Sequence, residues 1–225
     1  RRKIALCIPS INAETQRSWI FKTPHSPRLK RDGNYKLVDV CMASTAAPVS
    51  FPLHRIETGS GTENIDKFVD GGLWANDPSM VGLVEALEMS GSRPIEILSV
   101  GTLNASPSRT IGDNDYEWGI WKWSGGIDIV RMSMESQAFC MPYMVEQISK
   151  SLGRVTYCRL IDPKISSEHA RHLALDAVYD ESILTLKKLA HCSVDDNYSC
   201  FTKPKEGDTK EKCMVRNMFS GLEKL

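Results

Sequence analysis

The chain of 225 residues lacks any apolar run long enough to span a bilayer, which excludes a helical membrane anchor within it. It lacks a charge surplus as well: 28 Lys plus Arg stand against 28 Asp plus Glu. A nucleic-acid polymer is bound through a basic excess or a basic face, so that partner class is disfavoured. The seven cysteines (Cys7, Cys41, Cys140, Cys158, Cys192, Cys200, Cys213) include no CxxC pair and no Cys/His ligand spacing. Zinc sites draw on such pairs, so no metal is expected. The thiols read as buried or idle in a reducing compartment. Internal repeats, low-complexity tracts and a secretory leader are also missing. There is no initiator methionine, and Arg1-Arg2-Lys3 runs straight into the apolar stretch Ile4 to Ile8. The expectation is a piece cut from something longer.

What is present suits a soluble globular domain: 41% hydrophobic and 25% charged residues, in a chain long enough to bury a core. Ile4 to Ile8 reads as a strand closed by Pro9, and Ser18 to Phe21 as a second, with the polar Asn12-Ala13-Glu14 between them suggesting a hairpin. Leu37 to Ala46 suits a closely packed helix ended by Pro48. His54 to Ile56 and Lys67 to Val69 read as short strands around a loop at Gly59 to Thr62. Asn76-Asp77-Pro78 reads as an N-cap and a first-turn proline. The helix it opens carries Val81, Val84 and Leu87 on one stripe and stops at Gly91.

Further strands are expected over Ile95 to Val100 and Val155 to Leu160, with a polar loop from Ser106 to Asp115. Trp118 to Leu152 is mostly helical in pattern, interrupted at Ser124-Gly125-Gly126 and at Pro142, and another helix covers Ser182 to Leu189. Strands alternating with helices argue an α/β sheet covered on both faces.

The informative unit is Phe68-Val69-Asp70-Gly71-Gly72. An aspartate at the carboxyl end of a strand projects where open α/β sheets bind ligands, and the glycines permit a tight turn there. Asp-Gly by itself is also a common turn signal. The context is more specific. Ala43-Ser44-Thr45-Ala46-Ala47-Pro48-Val49-Ser50-Phe51-Pro52 stands upstream, and Leu73-Trp74-Ala75-Asn76-Asp77-Pro78 follows at once.

With these segments in this order, the chain resembles the patatin-like phospholipase family. Ile97 to Thr102 is similar to the family's next strand and turn, and Phe21-Lys22-Thr23 to an upstream strand. The resemblance weakens outward from Ala43–Asn76 but runs from about Ile4 to about Leu189. It implies a three-layer α/β/α patatin-like fold, incomplete at the N-terminus. Residues 1–202 would be the C-terminal portion of the catalytic domain, and 203–225 a charged linker and short terminal helix. It also implies a serine/aspartate dyad, with Asp70 taking the proton of the serine, Gly71 and Gly72 shaping its turn, and Asn76 and Pro78 holding the next helix start. Desolvation raises such a carboxylate toward the working range of a base. No histidine is required, and His25, His54, His169, His172 and His191 form no recognisable relay. No metal or organic cofactor is implied.

The family's Gly-x-Ser-x-Gly elbow is absent: Gly59-Ser60-Gly61 and Ser124-Gly125-Gly126 have the wrong spacing, and the glycine-rich oxyanion loop is missing too. Two expectations follow. In one, the parent protein is a serine acyl hydrolase acting on phospholipid or another lipid ester, an upstream segment supplies the serine, and this chain alone is inactive. In the other, the chain is a truncated, non-catalytic binding or regulatory module. The missing strand belongs mid-sheet, so this stretch alone is expected to expose apolar surface and strand edges.

Trp118, Trp121 and Trp123 offer a lipid or membrane contact, with a packed lid or helix as the plainer reading. Met132, Met134, Met141 and Met144 suit core filling, or an acyl channel. Lys203 to Lys212 reads as a solvated linker. The localisation expected is cytoplasmic, peripheral to a membrane during lipid contact.

Overall fold

The computed structural model describes residues 4–57, 65–103, 111–112, 116–173, 177–202 and 205–220. The loop expected at Gly59 to Thr62, most of the one at Ser106 to Asp115, and the expected domain boundary at 203 lie outside the described residues. The chain divides into two compact units, Arg1–Gly82 with Ile120–Met141, and Leu83–Gly119 with Pro142–Leu225. Helices and strands are mixed along the chain, as expected of an α/β protein, though β1–β2 and β3–β4 follow one another without a helix between, and among the described residues the strands form two sheets. No helix among them is long and apolar enough to cross a membrane.

The first unit is built on strands β1 (Cys7–Asn12), β2 (Arg17–Lys22), β3 (His54–Glu57) and β4 (Ile65–Asp70), in the order β2-β1-β4-β3 and antiparallel throughout. The β1–β2 hairpin turns on Asn12, whose Oδ1 accepts from the amides of Glu14 and Thr15 at 3.1 and 2.9 Å. Helix α1 (Leu37–Ser44) lays Val40 and Ala43 over Phe21, Ile56 and Phe68, and these five form the buried core. Phe68 and Phe21 pack with ring centres 5.0 Å apart, and Trp19 meets Phe68 edge-on at 5.5 Å.

Pro9 does not close β1. The strand runs through it to Asn12, and pairing with β4 begins only at Ser10. The carbonyl of Pro9 accepts from Ser44 Oγ at 2.6 Å, so the proline's polar edge faces a helix end and its missing N–H costs the ladder no rung.

After β4 the chain makes a one-turn helix α2 (Gly72–Ala75) and then α3 (Ser79–Ser90), which ends at Gly91 with φ +59°. The buried α3 positions are Leu83 and Glu85, and Val84, expected on the apolar stripe, is exposed. Helix α4 (Ile127–Leu152) starts after a 3-10 turn at Ser124–Gly126 and passes through Pro142. The expected interruption at Pro142 does not occur: proline removes one amide, and the remaining rungs of a 26-residue helix hold the segment.

The second unit carries β5 (Ile95–Ser99) and β6 (Val155–Arg159), paired in parallel, with helices α5 (Ser167–Ala170), α6 (Asp180–Asp196), α7 (Tyr198–Phe201) and α8 (Lys210–Phe219). The glycine of the Val100-Gly101-Thr102 turn is dictated by a neighbour, since a Cβ at Gly101 would stand 2.2 Å from the Asp162 carboxylate. That carboxylate is held by Arg159, which also donates to Ser99 Oγ. Helix α8 begins inside the stretch expected as linker and buries Met214 and Val215. Arg216 ties it back by pairing with Asp208 at 2.8 Å and donating to the Thr202 carbonyl.

Candidate active site

Asp70 is the last residue of β4, an inner strand of its sheet. On one side it pairs with Ser10 of β1. On the other, β3 has already ended, its final pair being His54 with Phe68. The C-terminal end of α1 takes over at that point. The amide of Asp70 donates to the Ala46 carbonyl at 3.0 Å, and that of Gly71 to the Ser44 carbonyl at 3.3 Å. Side chains alternate along a strand, so Asp70 shares the face of Phe68, the centre of the core, at the point where the core opens.

This hand-over explains the run of small residues from Ala43 to Ala47. Ala43 and Ala46 are buried and bring the helix backbone against the strands. Ser10, 0% exposed, donates its one hydroxyl hydrogen toward the carbonyls of Val69 at 2.8 Å and Ala43 at 3.2 Å. Ser44 donates to Pro9, and the indole of Trp74 donates to the Ser10 carbonyl at 2.9 Å. Larger side chains at 43 or 46 would force these backbones apart.

The two glycines are required by contacts. A Cβ on Gly71 would lie 2.2 Å from the carbonyl oxygen of Pro9. One on Gly72 would meet Met134 Cε at 2.9 Å and Asp70 Oδ1 at 3.1 Å. That same Oδ1 accepts from the Gly72 amide at 2.6 Å. Among the described residues the Asp70 carboxylate makes no other hydrogen bond and no ion pair, leaving Oδ2 available. Burial raises the Asp70 pKa above the ordinary carboxylate value, with the Gly72 hydrogen bond opposing. The arrangement is a half-buried carboxylate held by one oxygen, with the other able to take a proton.

Asn76 and Pro78 lie where the turn was expected, but the capping contact belongs to a different residue. Asp77 Oδ1 accepts from the Ser79 amide at 2.8 Å and so sits at the start of α3. Asn76 instead terminates α2, and its Nδ2 donates to the Met134 carbonyl at 3.3 Å. Gln137, which sequence reading missed, donates to the Leu73 carbonyl at 2.9 Å. Helix α4 thus holds α2 from two positions one turn apart, and only the amide side chains on its polar stretch hinted at it.

None of the other expected residues takes part in the Asp70 hydrogen bonds described above. Trp121 is 91% exposed, whereas Trp118 and Trp123 are half-buried, so the packed lid fails for Trp121. Met132 and Met144 are exposed, which removes them from core filling, while Met134 approaches Gly72. His54 lies 3.4 Å from Asp39, and His172 packs edge-on against Tyr179.

No family model matches the chain. It is 33% identical over 190 residues to the cGAMP-activated phospholipase of Pseudomonas aeruginosa, covering 82% of this chain and 52% of that protein. It is 32% identical over 197 residues to the cGAMP-activated phospholipase of Vibrio cholerae, covering 82% and 53%. Patatin-like protein 4 of Arabidopsis thaliana is 27% identical over 134 residues, 52% of this chain and 32% of that protein.

The chain belongs to the patatin-like phospholipase family. Its α/β fold is of the patatin-like class. It spans about half the length of the bacterial relatives it matches. Within the family the Asp-Gly-Gly turn therefore has a structural account here independent of likeness: both glycines are set by backbone and side-chain contacts, and both serve the placement of Asp70.

Proposed function

We propose that this chain contributes the aspartate of a serine/aspartate dyad to a lipid acyl hydrolase, with the serine supplied by another segment of the same protein. Phospholipid is the substrate class the reading favours, because the bacterial relatives are named phospholipases. The observation that carries it is the Asp70 carboxylate: one oxygen held by the Gly72 amide, the other without a hydrogen-bond partner among the described residues, and a pKa raised by burial.

In this reading the Asp70 oxygen left open accepts the serine proton as the serine oxygen attacks the ester carbonyl. The lipid alcohol departs with that proton, and water later releases the fatty acid by the same route. Burial favours the neutral carboxylic acid, which makes the carboxylate a stronger base than one in water. Trp121, with the half-buried Trp118 and Trp123 near it in sequence, is the lipid contact in this reading. The chain on its own is inactive, and neither cofactor nor nucleic-acid polymer enters the reaction.

The test is fluorophosphonate labelling of the full-length protein, read by intact mass, beside its Asp70→Asn variant. A single adduct on a serine outside this chain, formed much more slowly in the variant, supports the dyad. Labelling at the same rate in both would remove Asp70 from the chemistry. Absence of labelling in an enzyme that still hydrolyses lipid ester would rule out the serine route.

A further inference from the structure

The β4 and β2 strands leave the sheet at the same end. Asp70 pairs with Ser10, and Lys22, the last residue of β2, pairs with Cys7 on the same strand. Three residues along the strands and two strand spacings across place the Cα atoms of Lys22 and Asp70 about 14 Å apart. The segment that follows β2 therefore stands beside the carboxylate end of the sheet.

That segment forms a cleft of about 270 Å³ lined by Lys22, Arg28, Leu29, Lys30, Arg31 and Asp32. Four cationic side chains and one carboxylate is a marked local excess on a chain with equal numbers of each sign. The single carboxylate is turned inward, its side chain 6% exposed. It accepts from Arg31 Nε at 2.6 Å, from Arg31 Nη2 at 3.0 Å and from the Lys22 amide at 2.9 Å. Arg31 in turn donates to the Ile20 carbonyl at 2.8 Å and lies 3.6 Å from the Trp19 ring centre. Arg31 and Asp32 thus anchor the loop to β2, while Arg28 and Lys30 remain exposed on it.

Apolar surface flanks these charges. Leu6 exchanges hydrogen bonds with Thr23, its amide donating to Thr23 Oγ1 at 2.9 Å and its carbonyl accepting from the Thr23 amide at 3.2 Å. Leu6 and Ile4, both exposed, therefore border the start of the basic loop. Cationic side chains beside exposed aliphatic ones, at one end of a sheet, are the composition that holds a protein to an anionic bilayer surface.

We propose that this end of the first unit is an anionic-lipid docking surface. Arg28, Lys30 and Lys22 meet lipid phosphates, and Ile4 and Leu6 enter the headgroup boundary. The inference rests on the phospholipase reading, and it concerns the surface that carries the substrate.

The experiment is co-sedimentation of the full-length protein with vesicles of pure phosphatidylcholine, or of phosphatidylcholine with about 30 mol% phosphatidylglycerol. The expected result is binding to the anionic vesicles alone, weakening as NaCl rises from about 0.05 M to about 0.5 M. Each basic side chain near an anionic surface gives roughly a fivefold gain, so Arg28→Ala with Lys30→Ala should lower partitioning about 25-fold. A melting curve on the double variant checks its fold, and the single Lys30→Glu variant repeats the test should the double one melt early. Variants that partition like the wild type, or equal binding to both vesicle types, would overturn the proposal. Displacement by millimolar inorganic phosphate would overturn it too, by making the cleft a site for free phosphate. Hydrolysis of a short-chain water-soluble ester by the wild type, run in parallel, separates the two readings. Hydrolysis without partitioning sinks the docking surface alone, and partitioning without hydrolysis sinks the enzymatic reading alone.

Discussion

The amide of Gly72 donates to Asp70 Oδ1 across 2.6 Å, so the residue that turns the chain also holds the carboxylate it presents. Burial works against that hydrogen bond and raises the Asp70 pKa. A carboxyl whose folded pKa lies above its unfolded value gives stability that is complete below the unfolded pKa. That stability is lost as pH rises through the folded pKa. At neutral pH the charged Asp70 is therefore a burden on the fold.

Asp70→Asn should remove that burden while keeping the Gly72 bond, because the amide oxygen of asparagine still accepts. Thermal melts are expected to show the variant higher by on the order of 2 °C at pH 7, the gap closing toward pH 4. Lipid hydrolysis by the full-length variant should fall by about 100-fold to 10,000-fold, the usual contribution of a general base. In the wild type, the rate should rise with pH through a midpoint above the ordinary carboxylate value. A variant that melts lower at pH 7 would contradict the burial argument.

The two glycines should separate stability from placement. Gly71→Ala sets a Cβ 2.2 Å from the backbone of Pro9, which cannot yield without moving β1. A loss of about 3 kcal/mol or more in denaturant unfolding is expected. Gly72→Ala meets the flexible end of Met134 and the Asp70 carboxylate itself. Its stability cost should be smaller, about 1 kcal/mol, with the larger effect on hydrolysis. Equal stability losses for the two would show that the Pro9 contact relaxes.

The hairpin, the Asp-Gly-Gly turn, the glycine stop of α3 and the mixed α/β content were legible because each rests on local chemistry. Asn12 closes its turn through its own side chain, and Gly91 takes the positive φ a helix end favours. The role of the Ala43–Ala47 run could be seen only as part of a family pattern. Its cause, a helix end supplying acceptors where β3 stops, is tertiary. Adjacent Asn76 and Asp77 are alike as caps in sequence, and the unforeseen turn of α2 decides that Asp77 faces α3. Pro9 and Pro142 misled for different reasons: α4 loses one rung at Pro142 and its other rungs hold, while Pro9 removes no rung at all. At Pro9 the neighbouring edge meets Ser44 rather than a strand, so the missing amide was not needed. The basic loop after β2 had no pattern of its own, since Arg31 and Asp32 acquire their role by meeting Trp19 and the β2 backbone.

In the second unit, Asn197 is the polar residue whose loss should be felt most. It is buried, its Oδ1 accepts from the Ile161 amide at 2.9 Å, and its Nδ2 donates to the carbonyls of Ile161 at 3.0 Å and Ser193 at 2.7 Å. One side chain thus joins the segment after β6 to the end of α6. Asn197→Ala leaves the Ile161 amide without its acceptor, while the Ile161 and Ser193 carbonyls keep the Ser193 hydroxyl and the residue-197 amide as donors, a cost of about 1 to 2 kcal/mol. Urea unfolding should report it, and hydrogen exchange should speed up at the Ile161 amide. A change under about 0.5 kcal/mol would mean that water replaces the side chain.

Trp121 allows the opposite experiment, because it touches so little. At 91% exposure it contributes almost nothing to packing, and Trp121→Ala should leave stability within about 0.5 kcal/mol of the wild type. An indole at a bilayer interface is a favourable contact, so vesicle partitioning of the full-length protein should fall several-fold while its melt stays unchanged. This loss should persist at high salt, unlike the loss from removing Arg28 and Lys30, because an apolar contact is not screened. Unchanged partitioning of the Trp121 variant would exclude the indole as a lipid contact.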